Sequence, residues 1–202
     1  MGLDMYLEAE RTVVGDQAEA VRAALAANPN VRTYDEEDPF LYVPRWSHMG
    51  DDVVAAGTTV VEAAGLLPLL DETSNSLSVR ENPSGSLAVS MTVMYWRKAN
   101  AIHQWFVERA QDGTDDCGRY VVHPETLMAL RADAHRALEA YLAGDRAEAA
   151  QILTPTEGFF FGSTEVDQWY ADDLAATVGA IDRIIPAAIA VGRIEFFYQS
   201  SW

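Results

Sequence analysis

Leu87-Ala88-Val89-Ser90-Met91-Thr92-Val93-Met94 runs straight into Tyr95-Trp96-Arg97-Lys98-Ala99-Asn100-Ala101-Ile102-His103-Gln104-Trp105-Phe106. The place where the first pattern yields to the second decides the fold. The first eight residues are rich in β-formers and read as a strand, with Leu87, Val89, Met91 and Val93 on one side. From Tyr95 to Ala110 the apolar spacing suits a helix, because Tyr95, Ala99, Ile102 and Phe106 fall on one stripe at 100° per residue. Trp96, Asn100, His103 and Val107 then flank that stripe on one side. Lys98, Trp105 and Arg109 flank it on the other, and Arg97, Ala101, Gln104 and Glu108 face away. A strand feeding directly into a helix is the signature from which the rest of the chain is read.

Outward from this segment the elements alternate in kind. Leu3, Met5 and Leu7 alternate with Asp4 and Tyr6 and predict an N-terminal strand. Asp16 is placed to cap a helix over 17–27 that ends at Asn28-Pro29. The acidic run Asp35-Glu36-Glu37-Asp38, Phe40-Leu41-Tyr42-Val43 and a loop with Trp46 and His48 precede a second helix, which starts at Asp51 or Asp52 and stops near Pro68. Residues 71–86 read as a loop or hairpin. Beyond the central segment, 119–123 is extended, Pro124 opens a helix that closes at Gly144, and 147–153 adds a short one. Ser163 or Thr164 is placed to cap the next helix, which Pro186 bends or ends. The tail Ile194-Glu195-Phe196-Phe197-Tyr198-Gln199-Ser200-Ser201-Trp202 reads as a last strand. The expected class is α+β, with a small mixed or antiparallel sheet of N-terminal, central and C-terminal strands packed with about five helices. The first and last strands are expected to be sheet neighbours, because apolar terminal segments must be tied down.

Composition narrows the function classes. The 202 residues suit one compact domain able to bury roughly 70% of its extended-chain surface, with neither disulfide nor metal required. Cys117 is the sole cysteine and fits a reducing cytosol. The opening has no basic stretch before an apolar core, and no uninterrupted apolar run approaches the ~20 residues that span a bilayer. A cytoplasmic protein is expected. The net charge of −17 repels phosphate backbones and anionic lipid, so nucleic acid and membrane are poor partners. Mimicry of nucleic acid by an acidic inhibitor is a sharper use of the same charge, but the acids are scattered along the chain.

Three groups of residues carry possible chemistry. Asn100 and His103 sit at the edge of the apolar arc, where they are either a buried hydrogen-bonded pair or the wall of a pocket in which His103 serves as acid–base. Lys98, the only lysine beside 13 arginines, is expected to face a different neighbour. Asp115-Asp116-Cys117-Gly118 puts a thiol in a turn beside carboxylates that oppose its ionisation, so a structural thiol is favoured over a nucleophile. His103, Asp115, Asp116, Cys117 and His123 have metal-ligand chemistry without a recognisable zinc or calcium spacing, and no metal or cofactor is expected. Gly158-Phe159-Phe160-Phe161-Gly162-Ser163-Thr164-Glu165 leads aromatic bulk into a helix start, which either caps the helix or offers free N–H groups to an anion. His48 and His135 read as local contacts.

Taken with Gly2-Leu3-Asp4-Met5-Tyr6-Leu7, Trp169-Tyr170 and Phe197-Tyr198-Gln199-Ser200-Ser201-Trp202, these blocks resemble a family of uncharacterised proteins of bacteriophages and bacterial genomes. The resemblance covers the start and most of the chain from Tyr95 onward. It marks 11–90 as a variable or inserted region within a single domain, 1–202, and implies no activity. The leading expectation is therefore a binding protein for a small polar or nucleotide-like molecule. Its pocket would be lined by Trp96, Lys98, Asn100, His103, Phe160, Ser163 and Thr164. The alternatives are a metal-independent hydrolase or transferase using His103 with Asp115 or Asp116, and an acidic protein-binding inhibitor of a host factor.

Overall fold

A computed structural model describes residues 2–27, 32–33, 41–42, 51–70 and 76–202. Asn28-Pro29, the acidic run 35–38, Phe40, Trp46 and His48 lie outside the described residues. The fold is α+β, with six α-helices and a 3-10 turn over Leu67–Leu69 among the described residues. The strands are β1 (Asp4–Val13), β2 (Arg32–Thr33), β3 (Leu41–Tyr42), β4 (Leu77–Glu81), β5 (Leu87–Arg97), β6 (Tyr120–Val122) and β7 (Glu195–Ser201). The helices are α1 (Gly15–Ala26), α2 (Asp51–Ala63), α3 (Asn100–Ala110), α4 (Pro124–Leu142), α5 (Arg146–Ile152) and α6 (Gln168–Val191). The chain divides into two compact units, one of Met1–Leu7, Met94–Pro186 and Phe196–Trp202, the other of Glu8–Val93 and Ala187–Glu195.

In the first unit the strands are ordered β5-β1-β7-β6, so the N-terminal strand lies between the central and C-terminal ones. β6 pairs antiparallel with β7, Tyr120 opposite Tyr198 and Val122 opposite Phe196. Leu3, Met5 and Leu7 are buried from one side of β1, Phe196 and Tyr198 from β7, and Ile102 and Phe106 from α3. The Phe106 and Tyr198 rings stack at 3.9 Å, and Trp96 meets Phe106 edge-on at 5.9 Å. Leu127, Leu130 and Ala134 of α4 and Tyr170, Leu174 and Ile181 of α6 are buried as the helical period predicts, while Ala137 and Ala140 are covered in place of Leu138 and Tyr141.

In the second unit the order is β2-β3-β4-β5-β1. Of the 71–86 region, the described part from Ser76 onward belongs to the β4–β5 hairpin, with Leu77 opposite Met91 and Glu81 opposite Leu87. The hairpin turn closes on Asn82, whose N–H donates to the Ser86 carbonyl at 2.8 Å. Every residue from Leu87 to Met94 is buried, so both faces of β5 are covered and not one alone. Its buried hydroxyls find partners there, Thr92 with Ser76 and Ser90 with Glu8. Arg11 donates to the Ala64 carbonyl at the end of α2. The adjoining Gly65 has φ +70°, a conformation that favours glycine, and a Cβ there would displace the Arg11 guanidinium.

The boundaries differ from the sequence reading in instructive places. β5 continues through Tyr95 and Trp96 to Arg97, and the helix begins only at Asn100. The cause is β1: the Lys98 N–H donates to the Leu3 carbonyl at 2.8 Å, and the Tyr95 hydroxyl donates to Asp4. α1 begins at Gly15 without a side-chain cap from Asp16. α6 begins at Gln168 under Asp167, which accepts from the N–H groups of Trp169 and Tyr170 at 3.0 and 3.2 Å, so neither Ser163 nor Thr164 caps it. α6 also runs through Pro186 to Val191. Among the described residues it is the one helix long and apolar enough to cross a membrane. Asp182 and Arg183 interrupt its apolar sequence, and Tyr170, Leu174, Thr177, Ile181 and Ile184 are buried within the protein.

Candidate functional site

The site is built at the β5–α3 junction in the first unit. The chain leaves the sheet at Arg97 and turns at Lys98, which takes a left-handed conformation with φ 61°. That conformation costs a side-chain-bearing residue on the order of 1 kcal/mol, so it persists only where its surroundings fix it. Backbone bonds do so here: the Lys98 N–H holds the Leu3 carbonyl, and the Lys98 carbonyl accepts from the Asn100 N–H at 2.9 Å. Two glycines leave room for the lysine stem. A Cβ on Gly2 would lie 3.2 Å from Lys98 Cε, and a Cβ on Gly162, at φ +90°, would lie 3.2 Å from Lys98 Cβ.

Asn100 then fixes the facing loop. Its Nδ2 donates to the carbonyls of Phe161 at 3.1 Å and Ser163 at 2.8 Å, and its Oδ1 accepts from the Thr156 N–H at 3.2 Å. The amide is 4% exposed and occupied on both sides.

A cleft of about 310 Å³ opens between this junction and the start of α6. Arg97, Lys98, Asn100 and Ile102 line one wall, and Glu165, Asp167, Trp169, Tyr170, Asp173 and Leu174 the other, with Pro155, Gly162 and Ser163 between them. The Arg97 and Lys98 side chains are exposed, and among the described residues neither forms an ion pair. Trp169 is 78% exposed. Asp167 is committed to its capping bonds. Asp173 is not: its half-buried carboxyl has no hydrogen-bond partner among the described residues. Desolvation, then the neighbouring Asp172 and Asp167, push that carboxyl up to about 7. Behind it the Trp96 indole donates to the Thr177 hydroxyl at 2.8 Å, which donates to the Asp173 carbonyl at 2.7 Å.

This has a consequence for stability. The unfolded chain releases the Asp173 proton near 3.8 and the folded chain near 7, so between those values the folded state holds more protons. Stability from this group is therefore lost as pH rises and the penalty is complete above 7. The shift corresponds to about 4 kcal/mol at most, and partial exposure reduces it to about 2 kcal/mol. Asp173→Asn is expected to raise Tm at pH 8 by about 4–8 °C, and at pH 5 by about a third of that. Equal gains at both pH values in thermal denaturation would show that the carboxyl is not desolvated.

His103 occupies a different place. It is 0% exposed, with Nδ1 2.7 Å from the Tyr198 hydroxyl and Nε2 3.0 Å from Asp115 Oδ2. The other Asp115 oxygen accepts from the Trp202 indole at 3.1 Å. With Asp115 ionised, Nε2–H donates to it and Nδ1 accepts the Tyr198 proton, so a neutral imidazole satisfies every group. Burial first, and then the Asp115 charge, hold the Tyr198 hydroxyl well above its ordinary value. His103 thus meets Asp115, one of the two carboxylates named with it in the alternative reading, but it does not line the cleft. Asp116 turns away to accept from the Gly118 N–H and the Tyr120 hydroxyl. Cys117 is half-buried in the same turn at φ 58°, its carbonyl accepting from Gln199. His123 is exposed before α4, and His135 pairs with Glu139 on that helix. No group of three or more His, Cys, Asp or Glu side chains that could hold a metal occurs among the described residues.

Of the residues expected to line one pocket, Lys98, Asn100 and Ser163 do line the cleft. Trp96 is buried behind it, Thr164 is exposed beside Ser163, and Phe160 meets the exposed Phe159 edge-on while its carbonyl accepts from the Leu3 N–H. Sequence reasoning missed Arg97, Glu165, Trp169 and Asp173. The signal for the last was present: an Asp172-Asp173 pair inside an otherwise apolar helical stretch. No protein-family model, curated protein or solved structure matches the chain.

Proposed function

We propose that this protein binds a small, anionic, nucleotide-like ligand in the cleft between the β5–α3 junction and α6. One observation carries the reading. In a chain of net charge −17, the only adjacent pair of cations, Arg97 and Lys98, lies on the cleft wall with neither side chain in an ion pair among the described residues. The left-handed Lys98 adds to it, because strained backbone is retained where a function or its surroundings demand it. The volume, about 310 Å³, lies at the lower end of the roughly 300–1,000 Å³ typical of small-ligand pockets. The alternative of a hydrolase or transferase has the His103–Asp115 contact of 3.0 Å in its favour, and against it the complete burial of the imidazole.

The test is calorimetric titration with guanosine monophosphate and inorganic phosphate against wild type, Arg97→Ala and Lys98→Gly. Lys98→Gly is the sharper variant, because glycine accepts the left-handed backbone without strain while the whole side chain, its amine included, is removed. Each change is expected to weaken nucleotide binding about 10- to 100-fold, as loss of a charge-assisted hydrogen bond does. The Tm should stay within a few degrees of wild type. Unchanged affinity in both variants, or no binding of either anion to wild type at millimolar concentration, would overturn the reading.

A further inference from the structure

We infer that the ligand is a guanine nucleotide carrying a single phosphate, held by Arg97 and Lys98 at the phosphate, by the Trp169 ring at the base, and by the Asp173 carboxylate at the N–H edge of the base. This rests on the cleft being an anion-binding site and goes on to say what the rest of the ligand must be. Three features of the cleft lining each make a separate chemical demand.

The first demand comes from the cations. Arg97 and Lys98 are the only cationic side chains among those lining the cleft, while Glu165, Asp167 and Asp173 line it too. That balance suits one phosphate and opposes a chain of them, since every added phosphate meets carboxylates. The second comes from Trp169, a residue 78% exposed that lines the cleft. An exposed indole is a platform on which a flat heterocycle stacks, at about 1–3 kcal/mol per base.

The third demand comes from Asp173 and selects among the bases. Its carboxylate is half-buried, lines the cleft and has no partner among the described residues, so it calls for donors from the ligand. An ionised carboxyl offers acceptors only, side by side. Guanine presents N1–H and the N2 amino group next to one another and matches such a fork with parallel N–H···O bonds. Adenine and cytosine set a ring-nitrogen acceptor beside their amino donor, and uracil sets carbonyls beside its single N–H. Each of those brings a lone pair against the carboxylate. Hypoxanthine keeps N1–H without the amino group and is the intermediate case.

The experiment is titration of wild type and Asp173→Asn at pH 8 with guanosine, inosine and adenosine monophosphates and with inorganic phosphate. Wild type should bind the guanine nucleotide about 10- to 100-fold more tightly than the adenine one, with the inosine nucleotide between. In Asp173→Asn the guanine preference should collapse to within a few-fold, while inorganic phosphate binds at least as tightly as before. Asp173→Asn is expected to be more stable than wild type at this pH, so a lost preference cannot be ascribed to unfolding. If guanine and adenine nucleotides bind equally, yet both weaken in Arg97→Ala, the base assignment is overturned and the anion site stands. A guanine preference that survives Asp173→Asn overturns the role of that carboxylate. Failure of all four probes to bind wild type overturns the anion site itself, and the base assignment with it.

Discussion

His103→Ala is expected to lower the unfolding free energy by about 3–5 kcal/mol and Tm by roughly 10 °C. The loss has separate sources. Removing a wholly buried imidazole leaves a cavity against Phe161, which meets it edge-on at 5.1 Å, and beside the Phe106–Tyr198 stack. It also strands the buried Tyr198 hydroxyl and one oxygen of Asp115, and an unpaired buried group carries its full desolvation cost. His103→Gln should recover part of the loss, since an amide can meet one partner but not both at this spacing. The nucleotide affinity of folded His103→Ala, measured well below its melting range, should match wild type, because His103 does not line the cleft. Urea unfolding and titration together decide the matter. A stability loss below about 1 kcal/mol combined with abolished binding would move His103 into the functional site and revive the acid–base reading.

What was legible in the sequence follows from range. β1, β7 and the β4–β5 hairpin announce themselves locally, and period-two alternation in Leu3, Met5 and Leu7 fixes which side is buried. The β1–β7 adjacency followed because each apolar terminal strand needs a neighbour. Tyr95 and Trp96 were not legible, since aromatic residues continue a strand as readily as they fit a helical stripe. A backbone bond to Leu3, about ninety residues away in sequence, settles the choice. The cap of α6 was ambiguous for a similar reason. Ser163, Thr164 and Asp167 can all accept from a helix start, and Asp167 prevails because Ser163 Oγ is engaged with the Glu165 N–H. Burial of His103 was one of the two readings its place on the helix left open, while residue types alone did not choose between Asp115 and Asp116 as its partner. The cleft was least readable, because its walls come from distant stretches of chain and Arg97 seemed to face away while it was placed on a helix.

Asn100→Asp is expected to cost about 3–5 kcal/mol at pH 8 although the side chains are nearly the same size. The Asn100 amide is 4% exposed, and its nitrogen donates to the carbonyls of Phe161 and Ser163. An ionised aspartate in its place sets a carboxylate oxygen against those carbonyl oxygens, with no donor to offer them and little water to relieve the repulsion. Its proton is therefore held more tightly in the folded state than in the unfolded chain. The penalty is full above the folded-state pKa and shrinks as pH falls toward about 4, where the unfolded chain takes up the proton too. Protonation restores one donor, so the variant should regain much of its stability between pH 8 and pH 5, in contrast to Asn100→Ala. The alanine variant orphans the Thr156 N–H as well as both carbonyls and should cost about 3 kcal/mol at either pH. In both variants the wall formed by Pro155, Gly162 and Ser163 loses its tie to α3. In Asn100→Ala, amide exchange at Thr156 should accelerate well beyond the change seen in the core of α4. Unchanged exchange at Thr156, or a pH-independent penalty in Asn100→Asp, would mean that the amide does not clamp this loop and that the cleft holds its shape by other contacts.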